Sequence, residues 1–169
     1  MATATLALVT ALRTTAARMA SGAVYTWTHL GACTCGHLAQ TLTPLSPAEI
    51  HRLALQRPGD WAEQALEFCP SSGLPLDHVF STMLAVGLST DDIAHLERLA
   101  DPRVHQALDP TLVRSLDYRN RDHVVAYLQA WAALLEGELP SPAAPAGSPP
   151  ALAVACAREP SSERLPRAA

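Results

Sequence analysis

With 169 residues the chain has room for one ordinary domain with a core of its own, and a second domain of usual size would not fit. A formal charge of −4 and scattered arginines leave no basic stripe for a phosphate backbone, which argues against nucleic-acid binding. All twelve basic residues are arginine, which excludes Schiff-base lysine chemistry and a G-x-x-x-x-G-K-[ST] phosphate loop, since both need an ammonium group.

The apolar runs are broken by Thr, Arg or Gly well short of the ~20 residues a bilayer span needs, so no membrane segment is expected. The first acidic residue is Glu49, and Arg13 and Arg18 are the fixed charges before it. An acid-free, Ser/Thr-rich start mimics a mitochondrial presequence in composition, but a basic leader and a strong apolar run are missing, and a cytoplasmic helix is the expectation. A chain of this size does not need disulfide staples, so Cys33, Cys35, Cys69 and Cys156 are read as reduced thiols.

In chain order, Leu6, Val9, Leu12, Ala16 and Met19 recur at steps of three and four, which predicts a packing helix over residues 4–20, ending near Gly22. Residues 25–43 have no clear period and are expected to be a long Cys/His-bearing loop, with a short helix from Gly36 to Leu42. Ser46, Pro47 and Glu49 form a capping box that opens the next helix, with Leu45 and Ile50 placed as its hydrophobic staple. Arg57-Pro58-Gly59 stops it, and Asp60 with Glu63 opens another that carries Trp61, Ala65 and Leu66 toward Cys69. A turn over residues 69–73 follows.

Val79, Phe80, Met83 and Leu84 mark a further amphipathic helix up to Gly87, and Ser89 caps one bearing Ile93, Leu96 and Leu99. Asp101-Pro102 and Asp109-Pro110 each set a cap before a proline at the first helical position, predicting short helices. Asn120 caps a long helix with a Val124, Leu128, Trp131, Leu135 stripe. Seven of the fourteen prolines fall in the last thirty residues among Ala and Ser, which predicts a disordered tail over residues 140–169. The expected architecture is all-α: an irregular single-domain bundle of six to seven helices over residues 3–139.

The chemically distinctive stretch runs from His29 to His37, where Cys33 and Cys35 complete four soft or borderline donors in a nine-residue run. Thiolate and neutral imidazole are the preferred ligands of zinc. Gly31 and Gly36 would let the backbone bend around an ion. A tetrahedral site drawn from this stretch uses Cys33, Cys35, His37 and Cys69, with His29 as a competing ligand. Zinc is the first expectation, and iron or an iron–sulfur centre the second. An open coordination position would suit hydrolysis; a closed shell would be a structural clip.

A different chemistry follows if the short helix places Cys35 at its N-terminus, where the partial positive charge lowers a thiol pKa. Cys35 would then be the nucleophile of a thiol enzyme or the sensor of a redox protein. His37, His29 or His51 would serve as base, and Cys33 as the resolving thiol. If every cysteine is inert, an exposed Trp or Leu face would instead serve a protein partner or a second copy of the chain. Elsewhere, Asp92 and His95 stand at i, i+3 on a helix, the spacing that di-iron bundles use twice, but it occurs here once. Asp77-His78 and Asp122-His123 sit in first turns and read as structural.

Overall fold

The computed structural model describes residues 2–140, and these are all-α. The tail expected from residue 140, Cys156 included, lies outside the described residues from 141 onward. The described helices are α1 (Leu6–Ala20), α2 (Thr34–Leu42), α3 (Pro47–Ala54), α4 (Trp61–Leu66), α5 (Pro75–Ala85), α6 (Thr90–Arg98), α7 (Pro102–Ala107), α8 (Pro110–Arg114) and α9 (Arg121–Glu138). They outnumber the six to seven anticipated for the bundle, and the short helices predicted after Asp101 and Asp109 form as α7 and α8. None of the described helices is long and apolar enough to cross a membrane. Residues up to Leu139 gather into one compact unit.

Local chemistry sets the helix starts. Ser46, Asp60 and Ser89 each accept a backbone N–H three residues on, while Glu49, Glu63 and Asp92 return a hydrogen bond to the cap residue. Each reciprocal pair satisfies two of the donors that a helix start leaves unpaired. Asp101, Asp109 and Asn120 cap α7, α8 and α9 with their side chains.

The longest helices, α1 and α9, lie against each other. They run antiparallel: Arg13, midway along α1, pairs with Glu136 near the C-terminus of α9, and past the C-terminus of α1 the Tyr25 hydroxyl donates to the Tyr118 carbonyl just ahead of α9. Their shared interior holds Leu8, Leu12 and Met19 from α1 with Val124, Leu128, Trp131 and Leu135 from α9. The expected α9 stripe is buried throughout. On α1 the face is displaced, since Leu6 is 70% exposed and Leu8 takes its place inside. Leu6 stands in the first turn, at the edge of the bundle, where no neighbouring helix covers it.

Helix α2 is the hub, with α1, α3, α5 and α6 packed around it. Two glycines make that possible by their lack of a side chain. A Cβ on Gly31 would fall 1.9 Å from the Pro47 carbonyl oxygen, and one on Gly36 would fall 2.4 Å from the Leu30 carbonyl oxygen. These glycines therefore serve close backbone approach, and not the bend around an ion anticipated for them. Trp61 closes the other side of the core, meeting Phe80 edge to face and donating its indole N–H to the Leu30 carbonyl.

Candidate functional site

Helix α2 begins two residues earlier than expected, at Thr34, and this decides the fate of the cysteines. Cys33 is the N-cap, its sulfur accepting the Gly36 N–H at 3.5 Å in the manner of a serine oxygen. Its thiol lies 3.5 Å from the Leu30 carbonyl and is pushed up to about 12, chiefly by burial. Cys35 lies in the first turn and points inward, its thiol donating to the Ile93 carbonyl of α6. It has no exposed surface, and burial, reinforced by Cys33 and Glu97, holds its pKa well above the ordinary thiol value. Desolvation thus outweighs the helix terminus at Cys35. The nucleophile expected at Cys35 is corrected accordingly: the sulfur is an apolar packing group that solvent does not reach.

His37 is buried on the opposite side of α2 from that contact. Its Nε2–H donates to the Val24 carbonyl at 3.0 Å, and its Nδ1 lies 3.4 Å from an Arg18 guanidinium nitrogen. Burial holds its pKa below the usual imidazole value, opposed by the Val24 hydrogen bond and aided by the Arg18 charge. Both ring nitrogens are therefore occupied by the protein. His29 and His51 stack at 3.9 Å between ring centroids, and each accepts a backbone N–H at Nδ1, His29 from Gly31 and His51 from Leu30. They lock the loop ahead of α2 in place.

Cys69 is exposed, with Ser71 beside it, in the turn after α4. The expected convergence of Cys33, Cys35, His37 and Cys69, with His29 competing, is not built. Among the described residues, the group of three or more His, Cys, Asp or Glu side chains whose ligand atoms lie mutually within 4.8 Å contains none of them. The helical period explains the dispersal, because adjacent alternate residues on a helix point about 200° apart, sending Cys35 and His37 to different faces. Of the exposed Trp or Leu face anticipated for a partner, the tryptophans form no part, since Trp61 and Trp131 are buried and Trp27 is packed on Tyr118 with the Arg98 and Arg119 guanidinium groups over the pair, whereas Leu6, Leu55 and Leu66 are exposed.

The group that does converge is Asp92, His95 and Asp101. Asp92 and His95 come from successive turns of α6, and Asp101 is returned to them by the bend into α7. That bend turns on Leu99, whose φ of 53° is the one positive value at a non-glycine among the described residues. A left-handed leucine is strained and persists only where its surroundings enforce it. Here the side chain is buried, the His105 Nε2–H donates to the Leu99 carbonyl, and the Asp101 N–H donates to the Tyr127 hydroxyl.

Within this group both carboxylates serve as helix caps. Asp92 Oδ2 accepts the Ser89 N–H and hydroxyl, and Asp101 Oδ1 accepts the Arg103 and Val104 N–H groups that open α7. Asp101 Oδ2 faces His95 Nδ1 at 3.9 Å, too far for a hydrogen bond. His95 Nδ1 is buried and has no hydrogen-bond partner, although the His95 side chain as a whole is 39% exposed. The i, i+3 spacing of Asp92 and His95 is visible in sequence. Asp101 reads there only as a cap, because nothing local announces the left-handed turn that brings it back.

No protein-family model, curated protein or solved structure matches the chain.

Proposed function

We propose that this protein binds a divalent cation, zinc in the first place, through His95 Nδ1 and the carboxylates of Asp92 and Asp101. The observation that carries this is the buried, unpartnered His95 Nδ1 facing two carboxylates that are themselves 0% and 5% exposed. Neutral imidazole nitrogen and carboxylate oxygen are donors that zinc accepts, and two carboxylates match the charge of a divalent ion.

The donor set suits the ion. Zinc accepts imidazole nitrogen and carboxylate oxygen at roughly 2.0–2.2 Å, so adjacent ligands of a tetrahedral shell stand about 3.3 Å apart. The three donor atoms lie within 4.8 Å of one another, with 3.9 Å between His95 Nδ1 and Asp101 Oδ2, so side-chain rotation must draw them in to complete such a shell. Iron(II) would accept the same set. Three protein ligands leave a position for water, the arrangement of hydrolytic zinc sites.

The test is calorimetric titration of the chelator-stripped full chain with zinc chloride. A single equivalent should bind, and His95→Ala and Asp101→Asn should each weaken it by at least about tenfold, consistent with loss of one ligand. Asn retains the cap of α7, so the second variant stays folded. Cys33→Ser and Cys69→Ser should bind as wild type. Absence of stoichiometric uptake, or uptake lost with Cys69 and indifferent to His95, would overturn the assignment.

A further inference from the structure

A cavity of about 460 Å³ opens where the end of α1, the loop over residues 23–32, α2 and the start of α3 meet. Ala23, Val24, Ala32 and Pro47 give it apolar walls, and Arg18 supplies a fixed charge. Its volume and make-up are those of a small-molecule pocket: mostly apolar, with a few polar groups to orient a ligand.

Arg18 is what makes the cavity specific. Among the described half-buried arginines, Arg57, Arg103 and Arg121 each pair with a carboxylate. Arg18 does not. Its hydrogen bonds both leave from Nη2, toward the His37 carbonyl and Nδ1, while its Nε is buried without a partner. No carboxylate of the lining can serve, because the residues that line the cavity lie between 18 and 47 and the first acid in the chain is Glu49. The acid-free start, unexplained as a sequence feature, thus becomes a cavity wall of uncompensated positive charge.

The neighbouring imidazoles limit that charge to one. His37 donates its Nε2–H to Val24 and turns Nδ1 toward the Arg18 guanidinium, an arrangement that requires the neutral ring. His29 accepts the Gly31 N–H at Nδ1, which also requires a neutral ring. A single cation in an apolar hole complements a monoanion with an apolar body better than a dianionic phosphate.

We infer that this cavity binds a small organic monocarboxylate, of the medium-chain aliphatic or aromatic kind, with its head group paired to Arg18. The experiment is titration of the isotopically labelled full chain, in the presence of chelator, with sodium octanoate, octanol and inorganic phosphate, followed by amide chemical shifts. The chelator keeps the result independent of the cation site. Octanoate should shift the amides of Ala23, Val24 and Ala32, with octanol and phosphate at least about tenfold weaker. Arg18→Gln should weaken octanoate by a similar factor. Val24 is 78% exposed, so Val24→Asp adds a carboxylate at the rim without touching the core, and it should do the same. The proposal fails if octanol binds as tightly as octanoate, if octanoate up to about 10 mM shifts nothing at these positions, or if Val24→Asp leaves binding unchanged.

Discussion

Replacing Asp77 by alanine tests how the loop between α3 and α5 is held. Asp77 Oδ2 accepts a hydrogen bond from Arg57 Nη2 at 2.8 Å and another from the Ser72 hydroxyl, and the side chains of the ion pair are only 12% and 3% exposed. Arg57 also donates to the Gln64 carbonyl, while the Gln64 amide donates to the carbonyls of Ala54, Arg57 and Gly59. Removing the carboxylate strands a guanidinium in this network, and breaking a buried pair on one side costs about 3–5 kcal/mol. Against a total stability of roughly 5–15 kcal/mol that is a large fraction. It corresponds to a fall in Tm of about 10–20 °C for a domain of this size. Urea unfolding followed by circular dichroism should give that loss for Asp77→Ala and for Arg57→Ala. The double variant Arg57→Met/Asp77→Leu, which removes both charges and keeps the volume, should lose less than either single change. Single losses below about 1 kcal/mol, or a double loss equal to the sum, would refute the idea that unpaired charge is the source of the effect.

Two further outcomes follow from buried titratable groups. The Glu97 carboxylate accepts the Trp61 and Ala62 N–H groups, yet burial first, with Asp60 beside it, raises its pKa from 4.5 to about 7. A carboxyl that holds its proton more tightly when folded stabilises fully below the unfolded value and loses that contribution as pH rises through the folded one. Between about pH 4.5 and pH 7 the loss amounts to about 3 kcal/mol, so the unfolding midpoint of wild type should fall across this range relative to Glu97→Gln; parallel profiles would refute it. The second concerns thiol access: with Cys156→Ser as background, a disulfide reagent should modify Cys69 at once and Cys33 and Cys35 only after denaturant is added. Prompt modification of Cys35 in the native protein would restore it as a reactive group.

What could be read from the chain depended on how local the cause was. Capping is local, so Ser46, Asp60, Ser89, Asp101, Asp109 and Asn120 announced their helices correctly. Periodicity is nearly as local, and it placed the α9 stripe, though it could not tell which end of α1 the bundle leaves uncovered, hence Leu6 in place of Leu8. Proximity in sequence was a poor guide to proximity in space. The sulfur and imidazole groups between His29 and His37 spread over different faces once α2 formed, and burial turned the thiols into packing groups. Asp101 joined Asp92 and His95 through a turn at a leucine, a residue type that carries no signal for such a turn. The glycines at 31 and 36 were visible, but their reason, contact with the Pro47 and Leu30 carbonyls, exists only in three dimensions.

The left-handed leucine at position 99 also bears on how an ion would come and go. The bend it creates rests on aliphatic burial and on bonds to His105 and Tyr127, none of which a cation supplies. An ion bound at the proposed site would thus enter a socket already built, in contrast to small zinc modules whose fold collapses when the metal is stripped. Chelation should empty such a socket without melting the protein, leaving occupancy to follow the free concentration of the ion around it.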